Sequence, residues 1–340
     1  MSLLFAKFHT TKPIVVHINL LRSCNLACAY CYGAYQGIDK EERQFTTEEM
    51  TALFDELTVM GTRRINFGGG EPLIKKDIAE IVNYARSKGI VCNMNSNGHL
   101  VPKQLDVVKQ LNSLCISIDG DEVAHDISKG KGSYKRIQEA IRIAKENGVN
   151  VHTSTAITDS SVETIDSIFE LSKKLGFVTE WLLPFEQTGK RLISSNDKYT
   201  NVIRKIIGYK KKGYPIMISY RSLNHSLDWP DYDKQSLSIK ELPKDYKGIT
   251  CYAGRFMCII DPSGYVNPCS QKVDTAFPAL NFLEHGFEEA WRNLQEHNDC
   301  RSCYAFMAFN DYNLLIDRDI ATIWNYFKNS FIEKRIGNES

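Results

Sequence analysis

Ile14-Val15-Val16-His17-Ile18-Asn19-Leu20 is followed at once by Cys24-Asn25-Leu26-Ala27-Cys28-Ala29-Tyr30-Cys31, and this junction decides how the rest of the chain is read. The first stretch is an apolar, β-branched run suited to a strand. The second places three thiols just beyond its end. Three thiolates this close in sequence reach a single metal centre, and soft sulfur ligands select zinc, copper(I) or iron–sulfur clusters. A [4Fe–4S] cluster is usually held by four cysteines. Three local ligands therefore leave one iron open unless a distant residue completes the set. The competing explanation is three incidental core thiols, since free cysteine is commonly buried.

From residue 14 to about residue 185, strand-like runs alternate with helical spacing. The strands are expected at 14–20, 64–67, 90–95, 113–118, 149–157 and 177–184. Helices are expected at 47–60, 76–88, 102–111, 134–147 and 161–175, the first opened by a Thr46/Glu49 capping signal. Gly89, Gly148 and Gly176 sit where helix C-termini hand over to strands. Repeated alternation of this kind demands a parallel sheet. Periodicity alone does not separate an open doubly wound sheet from a barrel. The unusual residues Cys24, Gly68-Gly69-Gly70-Glu71, Ser96-Asn97-Gly98 and Asp119-Gly120 each follow a strand, on the rim where both architectures place their sites.

Taken together, these motifs resemble the radical S-adenosylmethionine (SAM) enzymes. Cys24-x3-Cys28-x2-Cys31, with aromatic Tyr30 before the third cysteine, is similar to that family's cluster motif. The resemblance implies a partial (β/α)6 barrel in which three cysteines hold a [4Fe–4S] cluster and SAM chelates the fourth iron. It further implies reductive cleavage of SAM to methionine and a 5′-deoxyadenosyl radical, which abstracts a hydrogen atom from substrate. Gly69-Gly70-Glu71 resembles the segment lining the amino end of SAM, and Ser96-Asn97 the segment near its ribose. Ser117-Ile118-Asp119-Gly120 with His125-Asp126 resembles a stretch of the peptide- and sulfatase-modifying branch. There a serine and a basic residue hold SAM's carboxylate and ribose, which implies those roles for Ser117 and Lys129. Relatives carry arginine where this chain has Lys129, and lysine lacks arginine's bidentate fork. A solvated loop is the alternative for Lys129, and a structural hydrogen bond at a helix start is expected for His125.

Composition sets broader bounds. The 340 residues are 43% hydrophobic and 24% charged, an ordinary globular balance. Forty-two basic against 41 acidic residues give no electrostatic case for nucleic acid or an anionic membrane. No run approaches the roughly 20 apolar residues of a spanning helix. Met1-Ser2-Leu3-Leu4-Phe5-Ala6-Lys7 is too short for a signal peptide. Ten cysteines without an export signal point to a reducing, cytoplasmic setting and to metal or catalysis rather than disulfides.

A second cysteine group begins at Cys251. Asp261-Pro262-Ser263-Gly264 is turn chemistry that joins two short strands as a hairpin, bringing Cys251 towards Cys269. With Cys300 and Cys303 this makes four thiolates, which suit zinc as well as a cluster. Resemblance to the "twitch" form of the SPASM domain implies a second [4Fe–4S] cluster, closed by all four cysteines. Cys258 is surplus to that count, and Cys92 and Cys115 read as core thiols. The expected division is a core over 1–220, a linker or covering loop over 221–250 and a small cysteine-rich domain over 251–340. Further expectations are a helix at 191–212, a short strand at 214–219, and helices at 282–295 and 317–335.

A closed second cluster suits electron transfer, hence oxidation of a small polar metabolite, as in a twitch-bearing dehydrogenase of amino-cyclitol biosynthesis. The alternative is maturation of a ribosomally made peptide by thioether, epimerisation or carbon–carbon chemistry. A non-enzymatic metal scaffold is the third reading. The resemblance also implies an electron donor such as flavodoxin or ferredoxin. Candidate proton acceptors are Asp228, Asp231, Asp233 and Glu186, and no inner-barrel pattern marks a substrate site.

Overall fold

The computed structural model describes residues 11–28, 30–31, 37–39, 41–183, 192–304 and 307–336. They fall into two compact units. One comprises Met1–Ala27, Gly33–Cys115 and Tyr252–Asn298; the other comprises Cys28–Tyr32, Ile116–Cys251 and Asp299–Ser340.

The first unit contains β1 (Val15–Asn19), α1 (Thr47–Met60), β2 (Arg64–Gly68), α2 (Ile78–Ser87), β3 (Val91–Ser96), α3 (Leu105–Val108) and the start of β4 (Ser113–Ser117). β1, β2 and β3 pair in parallel, with His17 opposite Asn66 and Asn66 opposite Asn93. α1 forms where the capping box predicts it: Thr46 accepts the Glu49 amide at 3.2 Å and Glu49 accepts the Thr46 amide at 2.9 Å. Its apolar stripe Met50, Leu53, Phe54, Leu57 is buried, and Phe54 meets Phe67 of β2 edge-on at 6.2 Å. Helices therefore cover the Ile65/Phe67 face of the sheet, leaving His17, Asn66 and Asn93 on the opposite face.

The second unit carries the rest of β4, then α4 (Glu122–Lys129), α5 (Ser133–Glu146), β5 (Val151–Ala156), α6 (Asp159–Val162), α7 (Ile165–Leu175), β6 (Val178–Leu182), α8 (Asn196–Lys211), α9 (Tyr220–Leu227) and β7 (Ser236–Ser238). β5 and β6 are parallel. Strand–helix alternation in both units is that of the partial (β/α)6 class.

Departures from the expectations have local causes. Residues 214–219 make a single parallel bridge, Thr179 to Ile216, rather than a strand. Pro215 sits in that segment and supplies only an acceptor, to the Thr179 amide at 2.9 Å. The helix expected over 102–111 shortens to the single turn α3. α4 was not expected; Asp121 caps it by accepting the Ala124 amide at 2.9 Å. The stretch expected as covering loop holds α9 and β7. α9 is pinned by buried Asp311, which accepts from the Ser219 amide at 2.8 Å and from the Ser219 and Ser222 hydroxyls at 2.5 Å each.

The division expected at residue 251 is not the one observed. β8 (Met257–Ile260) and β9 (Tyr265–Asn267) form the expected hairpin, with Asp261 Oδ1 accepting the Ser263 and Tyr265 amides. β8, however, pairs in parallel with β1 and extends the first unit's sheet. Its Met-Cys-Ile-Ile run is buried throughout, the composition of a strand covered on both faces. β10 (Leu280–Asn281), α10 (Phe282–His285) and α11 (Phe287–His297) follow in the same unit. There Glu56 of α1 accepts the Phe287 and Glu288 amides at 3.3 and 2.8 Å, capping α11. β11 (Cys300–Cys303), α12 (Met307–Ile316) and α13 (Ile320–Ile336) belong to the second unit, where β11 pairs antiparallel with β7.

Candidate functional site

In the first unit, Cys24 stands on a loop clamped from several sides. The Glu42 carboxylate accepts the Arg22 amide, the Ser23 amide at 2.9 Å and the Ser23 hydroxyl at 2.7 Å. The Cys24 amide donates to the Gly37 carbonyl at 2.7 Å. The glycine segment runs alongside: Leu20 donates to Gly68, Gly70 to Leu21 and Glu71 to Ser23, at 2.8 to 3.0 Å. A Cβ on Gly69 would lie 2.5 Å from the Leu21 carbonyl oxygen, and one on Gly70 would lie 2.0 Å from that of Ser23. Both glycines are thus required by the close approach of the cysteine loop.

Glu71 is fully buried and joins two motifs. Its carboxylate accepts from Leu73 N–H at 3.1 Å, the Ser96 hydroxyl at 2.9 Å and Asn97 N–H at 2.8 Å. Asn97 in turn donates to Asn25 Oδ1 at 2.7 Å and approaches Cys24 Sγ at 3.8 Å. The residues assigned by resemblance to SAM's amino and ribose ends are therefore one hydrogen-bonded network beside Cys24.

In the second unit, Cys28 and Cys31 share a turn, with Cys31 N–H donating to Cys28 O at 3.2 Å. Lys129 is buried at the end of α4, not in a solvated loop. Its ammonium lies 3.4 Å from Asp119, 3.8 Å from Cys28 Sγ and 5.1 Å from the centroid of the Tyr30 ring. Burial acts against the charge on Lys129, but Asp119, Tyr30 and Cys28 hold its pKa well above the usual lysine value. Burial pushes the Cys28 thiol up while Lys129 pulls it down. Tyr30 donates its hydroxyl to Asp119. His125 has the structural role expected of it, accepting Asp119 N–H on Nδ1 at 3.1 Å. Ser117 closes β4.

Soft thiols, with the Asn97 amide beside the Cys24 sulfur and the Lys129 ammonium beside that of Cys28, suit a cluster held by thiolates, whose sulfurs accept such hydrogen bonds.

The second cysteine group is built mainly from the second unit. Cys251 N–H donates to Arg301 O at 2.7 Å, and Ser302 donates its hydroxyl to Ile249 O at 2.7 Å, so the chain at 249–251 lies against β11. His225 accepts Ile249 N–H on Nδ1 at 3.5 Å, which leaves Nε2–H to donate to Cys303 O at 3.2 Å. Three half-buried thiols, Cys251, Cys300 and Cys303, are thereby carried on one braced element, and the donor set is again soft. Cys269 lies in the first unit, just after β9. Cys258 is buried in β8 and its pKa is driven far up by burial; Cys92 is likewise buried and pushed up to about 12. Both are core thiols.

The candidate proton acceptors fare differently. Asp228 and Asp233 are exposed, and Asp231 spends an oxygen on the Asp233 amide at 3.1 Å. Glu186 lies outside the described residues. Sequence reasoning missed the inner strand faces. Asn93 donates to Asn66 at 3.0 Å, and Asn66 donates to His17 Nε2 at 3.0 Å, which fixes His17 as the neutral Nδ1–H tautomer. Burial, aided by Arg64, lowers His17 to about 4. In the second unit, Trp181 meets Phe169 of α7, which turns Glu180 to the other face of β6. A ligand atom of His152 lies within 4.8 Å of a Glu180 carboxylate oxygen. The available signal was alternation: polar residues recur at alternate positions in β1, at His17 and Asn19, and in β3, at Asn93 and Asn95.

Residues 18–174 match the Radical SAM superfamily. The chain is 26% identical over 298 residues to the AdoMet-dependent heme synthase of Nitratidesulfovibrio vulgaris, covering 83% of this chain and 79% of that protein. It is 26% identical over 314 residues to the mycofactocin maturase MftC of Mycolicibacterium smegmatis, covering 87% and 76%. The structure is similar to Streptococcus suis SuiB bound to SAM, with a TM-score of 0.66, 16% identity, and 86% and 67% of the two chains covered. SuiB bound to its precursor peptide SuiA gives 0.65, at 16% identity over 84% and 66%. At such identity the structures speak to fold alone. Among the described residues no helix is long and apolar enough to cross a membrane.

Proposed function

We propose, from the premise that this chain is a radical SAM enzyme, that it oxidises an amide-bearing substrate of the peptide class. When bound, the cluster and SAM supply the radical that takes a hydrogen atom from substrate. Cys24, Cys28 and Cys31 would hold the cluster. Tyr30, Gly69, Gly70, Glu71, Ser96, Asn97 and Ser117 would surround SAM.

One observation carries the substrate class: the row His17–Asn66–Asn93 presents neutral donors and acceptors on the face away from the helices. Such groups match amides and hydroxyls, whereas a polyanion calls for arginine forks. The name of one similar protein, mycofactocin maturase, supports the same class. Arg64, whose charge reaches His17, favours a second reading, a small carboxylate-bearing metabolite.

Oxidation after hydrogen abstraction releases one proton and one electron. Glu180, beside His152, is the assigned proton acceptor. Cys251, Cys269, Cys300 and Cys303 would hold an auxiliary cluster that would supply the acceptor for that electron, and a flavodoxin or ferredoxin would supply the one that starts the cycle.

The test is anaerobic incubation of reconstituted protein with SAM, dithionite and either a pool of short synthetic peptides or small carboxylates. The expected result is 5′-deoxyadenosine formed one for one with a peptide lighter by two hydrogens. Turnover with a small carboxylate and none with peptide would overturn the substrate class.

A further inference from the structure

Lysine has three N–H donors, and three partners surround the Lys129 ammonium: Asp119 at 3.4 Å, Cys28 Sγ at 3.8 Å and the Tyr30 ring at 5.1 Å. The partners are themselves held. Asp119 accepts the Ala156 amide at 3.2 Å and the Tyr30 hydroxyl, and its own amide donates to His125. The cation is therefore fixed in place by groups of its own unit. A residue that clamps SAM's carboxylate needs N–H groups to spare, and this one has its directions taken.

We infer that Lys129 acts on the cluster rather than on SAM, as a charged N–H···S donor to the Cys28 thiolate that favours the reduced cluster. The inference rests on the radical SAM reading. Reduction adds an electron to a cluster whose potential responds to net charge, to hydrogen bonds at its sulfurs and to solvent exposure. A buried cation beside one sulfur stabilises the added charge with little screening. Asn97 stands at the same 3.8 Å from Cys24 Sγ but is neutral, so its influence is smaller. Lys129 is a positioning and tuning residue in this account, acting through Cys28.

An EPR-monitored redox titration of the reconstituted protein tests this, with equilibrium binding of SAM to the oxidised protein measured alongside. Lys129→Met is expected to lower the ratio of reduced to oxidised cluster at fixed poise about tenfold, a fall of about 59 mV for a one-electron couple. SAM affinity changes less than threefold. Lys129→Arg keeps the charge and is expected to stay within threefold of wild type in that ratio. Methionine leaves Asp119 buried without its cation, so the Asp119→Asn/Lys129→Met double variant guards against misfolding and is expected to titrate below wild type as well. An unchanged potential in either methionine variant, or a tenfold loss of SAM affinity at constant potential, would overturn the assignment. Wild-type protein that holds no cluster after reconstitution would refute the family-level premise instead, and iron content separates the two failures.

Discussion

Replacing Glu71 by glutamine tests whether the glycine segment and the Ser96-Asn97 segment are one unit. The native carboxylate takes three donors, Leu73 N–H and the Ser96 hydroxyl on one oxygen and Asn97 N–H on the other. Glutamine has a single acceptor oxygen, so its NH2 faces a buried N–H that it cannot satisfy. An unpaired buried donor costs about 1–3 kcal/mol, and each surviving bond falls from the charged range to the neutral one, about 1 kcal/mol apiece. The local cost is about 3–5 kcal/mol, since two bonds survive and one is lost. Hydrogen exchange followed by mass spectrometry or NMR reads this directly. The Asn97 amide is expected to exchange at least about a hundredfold faster, at 1.4 kcal/mol per decade, while α7 in the other unit stays unchanged. Acceleration of less than threefold would mean that Glu71 does not brace the loop, and the account of the site in the first unit would fall with it.

Other outcomes can be stated briefly. Cys300→Ala is expected to reduce two four-iron clusters per chain to one while SAM cleavage continues; zinc in place of the second iron complement of the wild type would refute the auxiliary assignment. Glu180→Gln is expected to leave 5′-deoxyadenosine formation within threefold of wild type while product falls at least about tenfold, the range of general-base effects; equal loss of both would remove Glu180 as proton acceptor. His17 lies at about 4 in the folded chain against an ordinary 6.5. Because the folded value is the lower one, this stability is complete above pH 6.5 and drains away as pH falls towards 4, on the order of 3 kcal/mol at 1.36 kcal/mol per unit. Denaturant titrations across that window should show the slope, and His17→Gln should flatten it.

Much of the core was legible because its signals are local. The Thr46/Glu49 box, the Asp261–Gly264 turn and the short apolar runs of β1 to β6 each declare themselves within a few residues. β8 was not legible as a partner of β1, because its four apolar residues suit several pairings and the choice is made by a contact some 240 positions away in sequence. α4 was missed for a different reason. Its buried residues include His125, Ser128 and Lys129, so a helix that faces a polar site read as a loop. The same inversion hid the burial of Lys129, which Asp119 and Cys28 make tolerable. Cys24, Cys28 and Cys31 were legible from spacing, but the Glu42 clamp behind Cys24 lies across a sequence gap that carries no motif.

The inner strand faces bear on what this scaffold is for. Strands of a parallel sheet are usually buried on both faces and read as continuous apolar runs. β8 does so, whereas β1, β2 and β3 place His17, Asn66 and Asn93 on the face away from the helices. Burying such groups is tolerable here because they satisfy one another in one direction, Asn93 to Asn66 to His17. Yet apolar residues of similar shape at all three positions would be near neutral or even stabilising. Stability therefore does not account for the row. What it supplies is a fixed orientation: the neutral tautomer of His17 and the direction of each amide follow from the chain of donors. An ordered set of uncharged donors and acceptors is useful to a partner that carries the complementary set, which is why the amide-bearing substrate is preferred to a polyanion.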